Sequence, residues 1–151
     1  MDSMPVQAVL DEPCNNLALR KAARYLGAAC DKALAPLGLR ATQFTVLQEL
    51  ASQSMAITRL AERIVMDRTT LASSLKPLVR EGLVTVESSP DDRRVRMVAM
   101  TQEGRSRAAA ARPLLQAVES RFDESYGAGD AAQLRVWLGR ILESRFAQQS
   151  K

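Results

Sequence analysis

Apolar residues recur at steps of three and four along most of the chain, the spacing of one buried face of a helix. The pattern predicts a long first helix over residues 14–37, ended by Gly38, because glycine readily adopts the left-handed backbone at helix ends. It then predicts a second helix with Thr42 as its N-cap and a short third helix that starts near Ile57.

A fourth helix and a pair of strands follow. Asp67 is the expected N-cap of that helix and Gly82 its end. Residues 83–88 (LVTVES) and 95–100 (VRMVAM) predict two strands joined by a polar turn, and thus a β-hairpin. The face that points inward is left open, because Val95, Met97 and Ala99 compete with Val98 and Met100.

Two helices complete the pattern. Thr101 is expected to cap a fifth helix that runs toward Tyr126, and the glycines at 127 and 129 interrupt the periodicity. Asp130 is expected to cap a last helix, which carries an apolar stripe through Trp137 and Phe146. The fold class is therefore mainly α (α+β): four helices, a hairpin and two helices, without internal repeats.

Composition excludes several classes of protein. The 151 residues are 46% hydrophobic and 25% charged, an ordinary globular balance for one domain with or without an oligomerisation element. The chain has no histidine, which excludes histidine acid–base chemistry and histidine-ligated metals, and two cysteines are too few for a zinc ribbon. Without a membrane span, secretory signal or nucleophile–base pair, we expect a cytoplasmic protein that is not an enzyme and needs no cofactor or metal.

The charge balance favours a nucleic-acid partner only through its placement. Lys+Arg is 21 against 17 Asp+Glu, which gives a net charge of +4, and such an excess is also typical of solvated helix faces. Several cations, however, lie in the fourth helix and in the hairpin turn, which ends in adjacent Arg93 and Arg94.

A helix pair followed by a β-hairpin is the winged helix-turn-helix arrangement. Its second helix fits the major groove of DNA, and the hairpin loop reaches an adjacent minor groove, whose negative potential attracts arginine. With Leu71 and Leu75 turned to the core, hydroxyls and cations remain on the outer face of the fourth helix. The predicted DNA-binding residues are Arg68, Thr69, Thr70, Ser73, Ser74, Lys76, Arg93 and Arg94.

Three segments in this order resemble the multiple-antibiotic-resistance regulator (MarR) family. They are residues 35–39 (APLGL) with Gln43 and Phe44; residues 60–84, which contain MDRTTL and LKPLVREGLV; and DDRR at 91–94 with MTQEG at 100–104. The resemblance implies a homodimer whose first, fifth and sixth helices form the dimer interface. It also implies a repressor that a small aromatic or phenolic effector releases from double-stranded operator DNA.

The resemblance covers roughly residues 14–146, and we expect four parts in the chain. They are a flexible N-terminal arm (1–13), a first dimerisation helix (14–38), a winged helix-turn-helix DNA-binding domain (39–101) and C-terminal dimerisation helices (102–148). The chain departs from the family at Val65, where relatives often carry glycine, and at Ser73, where relatives with this run often carry arginine. We therefore expect a strained or altered turn and a different operator or lower affinity.

The sequence also offers candidate effector and redox sites. Arg24, Tyr25, Phe44 and Met66 are candidate ligand-binding residues between the lobes, with the alternative that the aromatic side chains are core and Arg24 is solvated. Cys14, near the start of the first helix, is a candidate redox sensor, as in the organic-hydroperoxide regulators of this family. Two alternatives therefore stay open: a thiol-based repressor, and a winged-helix protein-interaction module that binds DNA weakly.

Overall fold

A computed structural model describes residues 14–144, and the chain divides into two compact units at residue 115. The predicted arm at 1–13 and the end of the C-terminal region, with Phe146, lie outside the described residues. The elements in chain order are α1 Asn15–Leu34, a 3₁₀ turn Ala35–Leu37, α2 Ala41–Glu49, β1 Met55–Ala56, α3 Ile57–Arg63, α4 Arg68–Arg80, β2 Val84–Ser88, β3 Arg96–Met100, α5 Gln102–Tyr126 and α6 Ala128–Glu143.

The first unit, residues 14–115 of the described chain, holds the main hydrophobic core. Helices α2, α3 and α4 each turn one apolar side inward, and the sheet closes over them. Burying large apolar side chains is the dominant favourable contribution to folding. The fully buried large side chains are Leu34, Val46, Leu47, Leu50, Leu60, Leu71, Leu78, Leu83, Val84 and Val98.

The predicted hairpin is confirmed and belongs to a three-stranded antiparallel sheet of order β1-β3-β2. The structure decides the face that the sequence left open, because Val98 and Met100 are buried and pair with Val86 and Val84. Strand β1, two residues long, pairs Met55 with Val98 and was not predicted. Two residues are too few to show the alternation by which strands are recognised.

Helix ends agree with the sequence in some places and not in others. Asp67 caps α4, and Gly82 adopts left-handed backbone after it, as predicted. Gly38 is also left-handed, but α1 ends at Leu34 rather than at residue 37, and Gly38 follows the 3₁₀ turn Ala35–Leu37.

The predicted cap at Thr42 is wrong, because α2 begins at Ala41, whose N–H donates to the Asp31 carboxylate of α1 at 2.7 Å. The Gln43 side-chain oxygen also accepts the Arg40 N–H at 2.9 Å, a local capping contact. The Asp31 contact comes from another helix and leaves no local sequence signal.

The second unit, residues 116–144 of the described chain, consists of the end of α5 and helix α6. The predicted cap at Asp130 is wrong: α6 begins at Ala128 after Gly127, and Asp130 lies in its first turn. Trp137 is 53% exposed on α6, among other exposed apolar side chains. No helix within residues 14–144 is long and apolar enough to cross a membrane.

Candidate nucleic-acid interface

Helix α4 has one buried and one exposed side. Leu71, Leu75 and Leu78 are buried at steps of four and three, which fixes the rotation of the helix about its axis. Ser74 is half-buried at the margin of the buried side. The opposite side presents the exposed residues Arg68, Thr69, Thr70, Ser73 and Lys76.

Asp67 organises the N-terminal end of α4. Its carboxylate accepts the Thr70 N–H at 2.9 Å and the Thr70 hydroxyl at 2.5 Å. Both bonds stabilise the ionised carboxylate and hold the pKa of Asp67 below its usual value, and the bond from the hydroxyl has the larger effect. The Thr70 hydroxyl proton is therefore committed to the cap, and its oxygen keeps only acceptor capacity for a further partner.

The loop between β2 and β3, the wing, is held by its own backbone and by Asp92. The Arg94 N–H donates to the Asp92 carboxylate at 2.9 Å, and the Val95 N–H donates to the Asp92 carbonyl at the same distance. Asp92 thus orders the backbone of the wing next to the two arginines. The side chains of Arg93 and Arg94 are exposed at the tip.

The C-terminal end of α4 is tied to α5 by contacts that we did not predict. Arg107 of α5 pairs with Glu81 at 3.0 Å and with Glu103 at 3.1 Å. The Thr101 hydroxyl also donates to the Gly82 carbonyl at 2.6 Å. Acidic and basic residues at these positions look like ordinary solvated charges in a linear sequence. Only the fold brings Glu81 and Arg107 together.

Helices α2 and α5 border a cleft of about 370 Å³ within the first unit. Arg105 and Arg112 lie on the same side of α5, two turns and roughly 10 Å apart along the helix axis. Within residues 14–144 no carboxylate forms an ion pair with either guanidinium. The cleft is lined by Phe44, Leu47, Gln48, Ala51, Met100, Arg105, Ala108, Ala109 and Arg112.

The structure brings one of the four predicted effector residues to this cleft. Phe44 is buried and contributes to its wall. Met66 packs against the core, whereas Arg24 and the 62% exposed Tyr25 lie on α1 and do not line the cleft. The cleft arginines on α5 were missed, because a cation at every third or fourth position of a helix is also the pattern of a solvated face.

Cys14 is exposed at the N-cap position of α1, and Cys30 is half-buried in the same helix. Sixteen residues of helix separate their backbones by about 24 Å, far beyond the Cα separation of a disulfide. The two thiols of one chain therefore cannot pair without unfolding α1. Among residues 14–144, no group of histidine, cysteine or carboxylate side chains is arranged to hold a metal ion.

The exposed side of α4, its capped N-terminus and the arginine-tipped hairpin define a winged helix-turn-helix protein. A model of the MarR family matches residues 37–95. The M. tuberculosis transcriptional regulator MosR, solved in complex with DNA, is 34% identical and has a TM-score of 0.75, over 88% of this chain and 98% of that one. The chain belongs to the MarR family of transcription regulators.

Two further solved structures are similar. The transcriptional repressor CouR bound to a 23-mer DNA duplex has a TM-score of 0.79 and 25% identity, over 94% of this chain and 99% of that one. CouR from Rhodococcus jostii RHA1 bound to p-coumaroyl-CoA has a TM-score of 0.73 and 28% identity, over 89% of this chain and 94% of that one. No curated protein matches the sequence.

Proposed function

We propose that this protein is a dimeric repressor that binds a pseudo-palindromic operator and leaves it when a small anionic aromatic molecule binds. The observation that carries the proposal is the outer side of α4, where hydroxyls and cations are exposed around an ordered N-terminus. DNA complexes of MosR and CouR, two similar transcription regulators, support it.

Each DNA-contacting residue has a role that follows from its position. Arg68, Thr69 and Ser73 lie in the first turns of α4, the part of a recognition helix that reaches base edges, together with Thr70 and Ser74. Lys76, one turn further along, contacts phosphate. Arg93 and Arg94 enter the minor groove from the wing.

Dimerisation is proposed for α1 (within 14–38) and for the C-terminal helices (102–148). Helix α6 carries exposed apolar side chains that a monomer would leave in water, among them Val136, Trp137 and Leu142. A two-fold dimer would place its recognition helices about 34–36 Å apart, one turn of DNA, which is the spacing a palindromic operator presents.

The cleft between α2 and α5 is the proposed effector site. Its volume of about 370 Å³ lies within the range of small-molecule sites. Phe44 and Leu47 offer apolar contact to an aromatic ring, and the guanidinium of Arg105 or Arg112 offers paired donors to a carboxylate or phenolate. The p-coumaroyl-CoA complex of CouR supports an aromatic effector.

DNA selection tests the repressor proposal. Purified protein is mixed with random duplexes, and the retained duplex is sequenced. We expect a pseudo-palindrome with half-sites about 10 base pairs apart. Retention without sequence preference, or no retention at low salt, would instead favour a protein-interaction module.

The effector is tested on the same duplex with 4-hydroxybenzoate as the probe and its neutral amide as the control. We expect the carboxylate to release the DNA at lower concentration than the amide, because only the carboxylate pairs with guanidinium. The variants Arg105→Gln and Arg112→Gln should remove this difference. If both compounds release the DNA equally from wild type and from the variants, the cleft between α2 and α5 is not the effector site.

A second candidate, control by thiol oxidation, rests on the exposure of Cys14 at the start of α1. An exposed thiolate is oxidised by peroxide to sulfenic acid, which then condenses with another thiol. If this candidate is right, peroxide releases DNA from wild type and not from Cys14→Ser, while Cys30→Ser behaves as wild type. Equal release from Cys14→Ser and wild type would eliminate it.

A further inference from the structure

Val65 ends helix α3 in left-handed backbone. Its φ is +53°, and among residues 14–144 it is the one residue other than glycine with a positive φ. In this region the Cβ of an L-residue crowds the following carbonyl oxygen, and branching at Cβ adds to the crowding. Val65 therefore occupies a strained position that favours glycine.

Helix α4 and the 3₁₀ turn Ala35–Leu37 end in the same way but with glycine. In all three ends, the left-handed residue donates its N–H to the carbonyl three positions back, and the next residue donates to the carbonyl five positions back. These bonds measure 3.2 and 2.9 Å at Val65 and Met66, 3.0 and 2.8 Å at Gly82, and 3.0 and 3.4 Å at Gly38. The backbone requirement is the same, so a valine side chain is not needed to end α3.

The Val65 side chain is not part of the hydrophobic core. Val65 is 72% exposed, the largest exposed fraction of any large hydrophobic residue in the described part of the chain. Its neighbours Ile64 and Met66 both pack against the core, which holds the backbone in place on either side. Residues kept in strained backbone against a local alternative are concentrated at functional sites.

Val65 stands two residues before the Asp67 cap and three before Arg68, beside the end of α4 that is proposed to enter the major groove. The exposed residues that begin α4, at positions 67–70, are polar or charged, so the exposed valine adds a different kind of contact. The apolar groups that DNA offers from the major groove are the C5-methyl of thymine and the deoxyribose ring.

We propose that Val65 is a DNA-contacting residue that adds an apolar contact, with a thymine methyl or a deoxyribose, to the hydroxyl and guanidinium contacts of α4. This inference rests on the proposed DNA-binding function and goes beyond it by assigning a role to the turn. The strain at Val65 then has a reason. The valine side chain contributes more free energy to DNA binding than a glycine at this position would add to the stability of the fold.

The substitution Val65→Gly separates the two effects, because they have opposite signs. We expect the melting temperature to rise by about 3 °C as the strain is relieved, while affinity for the selected duplex falls about fivefold as the apolar contact is lost. Val65→Asn, which also tolerates left-handed backbone, should bind as weakly as Val65→Gly. The control Val79→Ala, at another exposed valine, should leave affinity unchanged.

Duplexes with deoxyuridine in place of single thymines distinguish the two sources of contact. If the partner is a thymine methyl, one such replacement weakens wild type about fivefold and leaves Val65→Gly unaffected. If it is deoxyribose, no replacement matters and Val65→Gly is still weaker. Wild-type affinity in Val65→Gly overturns this inference alone, whereas a wild type that binds no duplex overturns the proposed function as well.

Discussion

The guanidinium of Arg107 lies 3.0 Å from the carboxylate of Glu81, which joins the first turns of α5 to the end of α4. Glu81 is the residue that closes α4, so this pair acts on the helix proposed to read DNA. Glu103 lies 3.1 Å from the same guanidinium and gives Arg107 a second acceptor. Thr101 adds two further bonds, from its hydroxyl to the Gly82 carbonyl at 2.6 Å and from its N–H to the Leu83 carbonyl at 3.0 Å.

The pair of Glu81 and Arg107 is expected to contribute about 0.5–1 kcal/mol, since both side chains are about a third exposed and water screens them. We expect a double-mutant cycle of Glu81→Gln and Arg107→Gln, followed by urea unfolding, to return a coupling of this size that shrinks at high salt. The more exposed pair of Arg63 and Glu49 is the comparison and should couple less. A coupling of zero for the Arg107 pair would show that the junction rests on its other bonds.

Gly104 packs directly on the turn that follows α4. A Cβ at this position would collide with the Leu83 carbonyl oxygen and press against the Met100 side chain. We therefore expect Gly104→Ala to lower the free energy of unfolding by about 3 kcal/mol, because the obstacle is backbone that cannot rotate away. Gly139→Ala is the matched control, since nothing lies within 4 Å of a Cβ there. Equal stability of the two variants would contradict the close approach.

The cap at Asp67 predicts a pH dependence. Hydrogen bonds from Thr70 lower the pKa of Asp67 in the folded protein, so the stability it adds is present above the unfolded pKa of about 4 and is lost as the pH falls through the folded pKa. We expect wild type to be more stable than Asp67→Ala at pH 7, with the difference closing below about pH 4. Asp67→Asn, whose amide also caps helices but does not titrate, should keep its advantage over Asp67→Ala. Urea unfolding at each pH measures both differences.

Arg94 at the wing tip is expected to contact DNA without reading sequence. Arg94→Ala should weaken binding to specific and non-specific duplexes alike, and should reduce the slope of log affinity against log salt by about 1. Arg96→Ala removes the same charge two residues away, where the guanidinium donates to the Val86 carbonyl at 3.2 Å. If both variants change the slope equally, net charge rather than the position of Arg94 explains the effect.

Most of the elements that were predicted correctly were recognised from local patterns in the sequence. Amphipathic spacing placed α4 correctly on Leu71 and Leu75, and a short polar side chain at Asp67 and glycine at Gly82 marked its ends. These signals work because capping and backbone preference depend on residues a few positions apart. Strand β1 and the Asp31 contact at the start of α2 were not predicted, because each depends on a partner in another element.

The sequence by itself determined the helices, the hairpin and their order, and with them the winged helix-turn-helix class, because periodicity and helix caps are local. The resemblance to the MarR family marked Val65 as a departure from the glycine that relatives often carry there. Only the tertiary structure decided which hairpin face is buried, that Arg107 meets Glu81, that Arg105 and Arg112 border a cleft, and that Val65 keeps its left-handed backbone while its side chain faces water. The contacts join segments far apart in the chain, and the exposure of a side chain depends on all the elements that pack around it. No short-range pattern of residues records either of them.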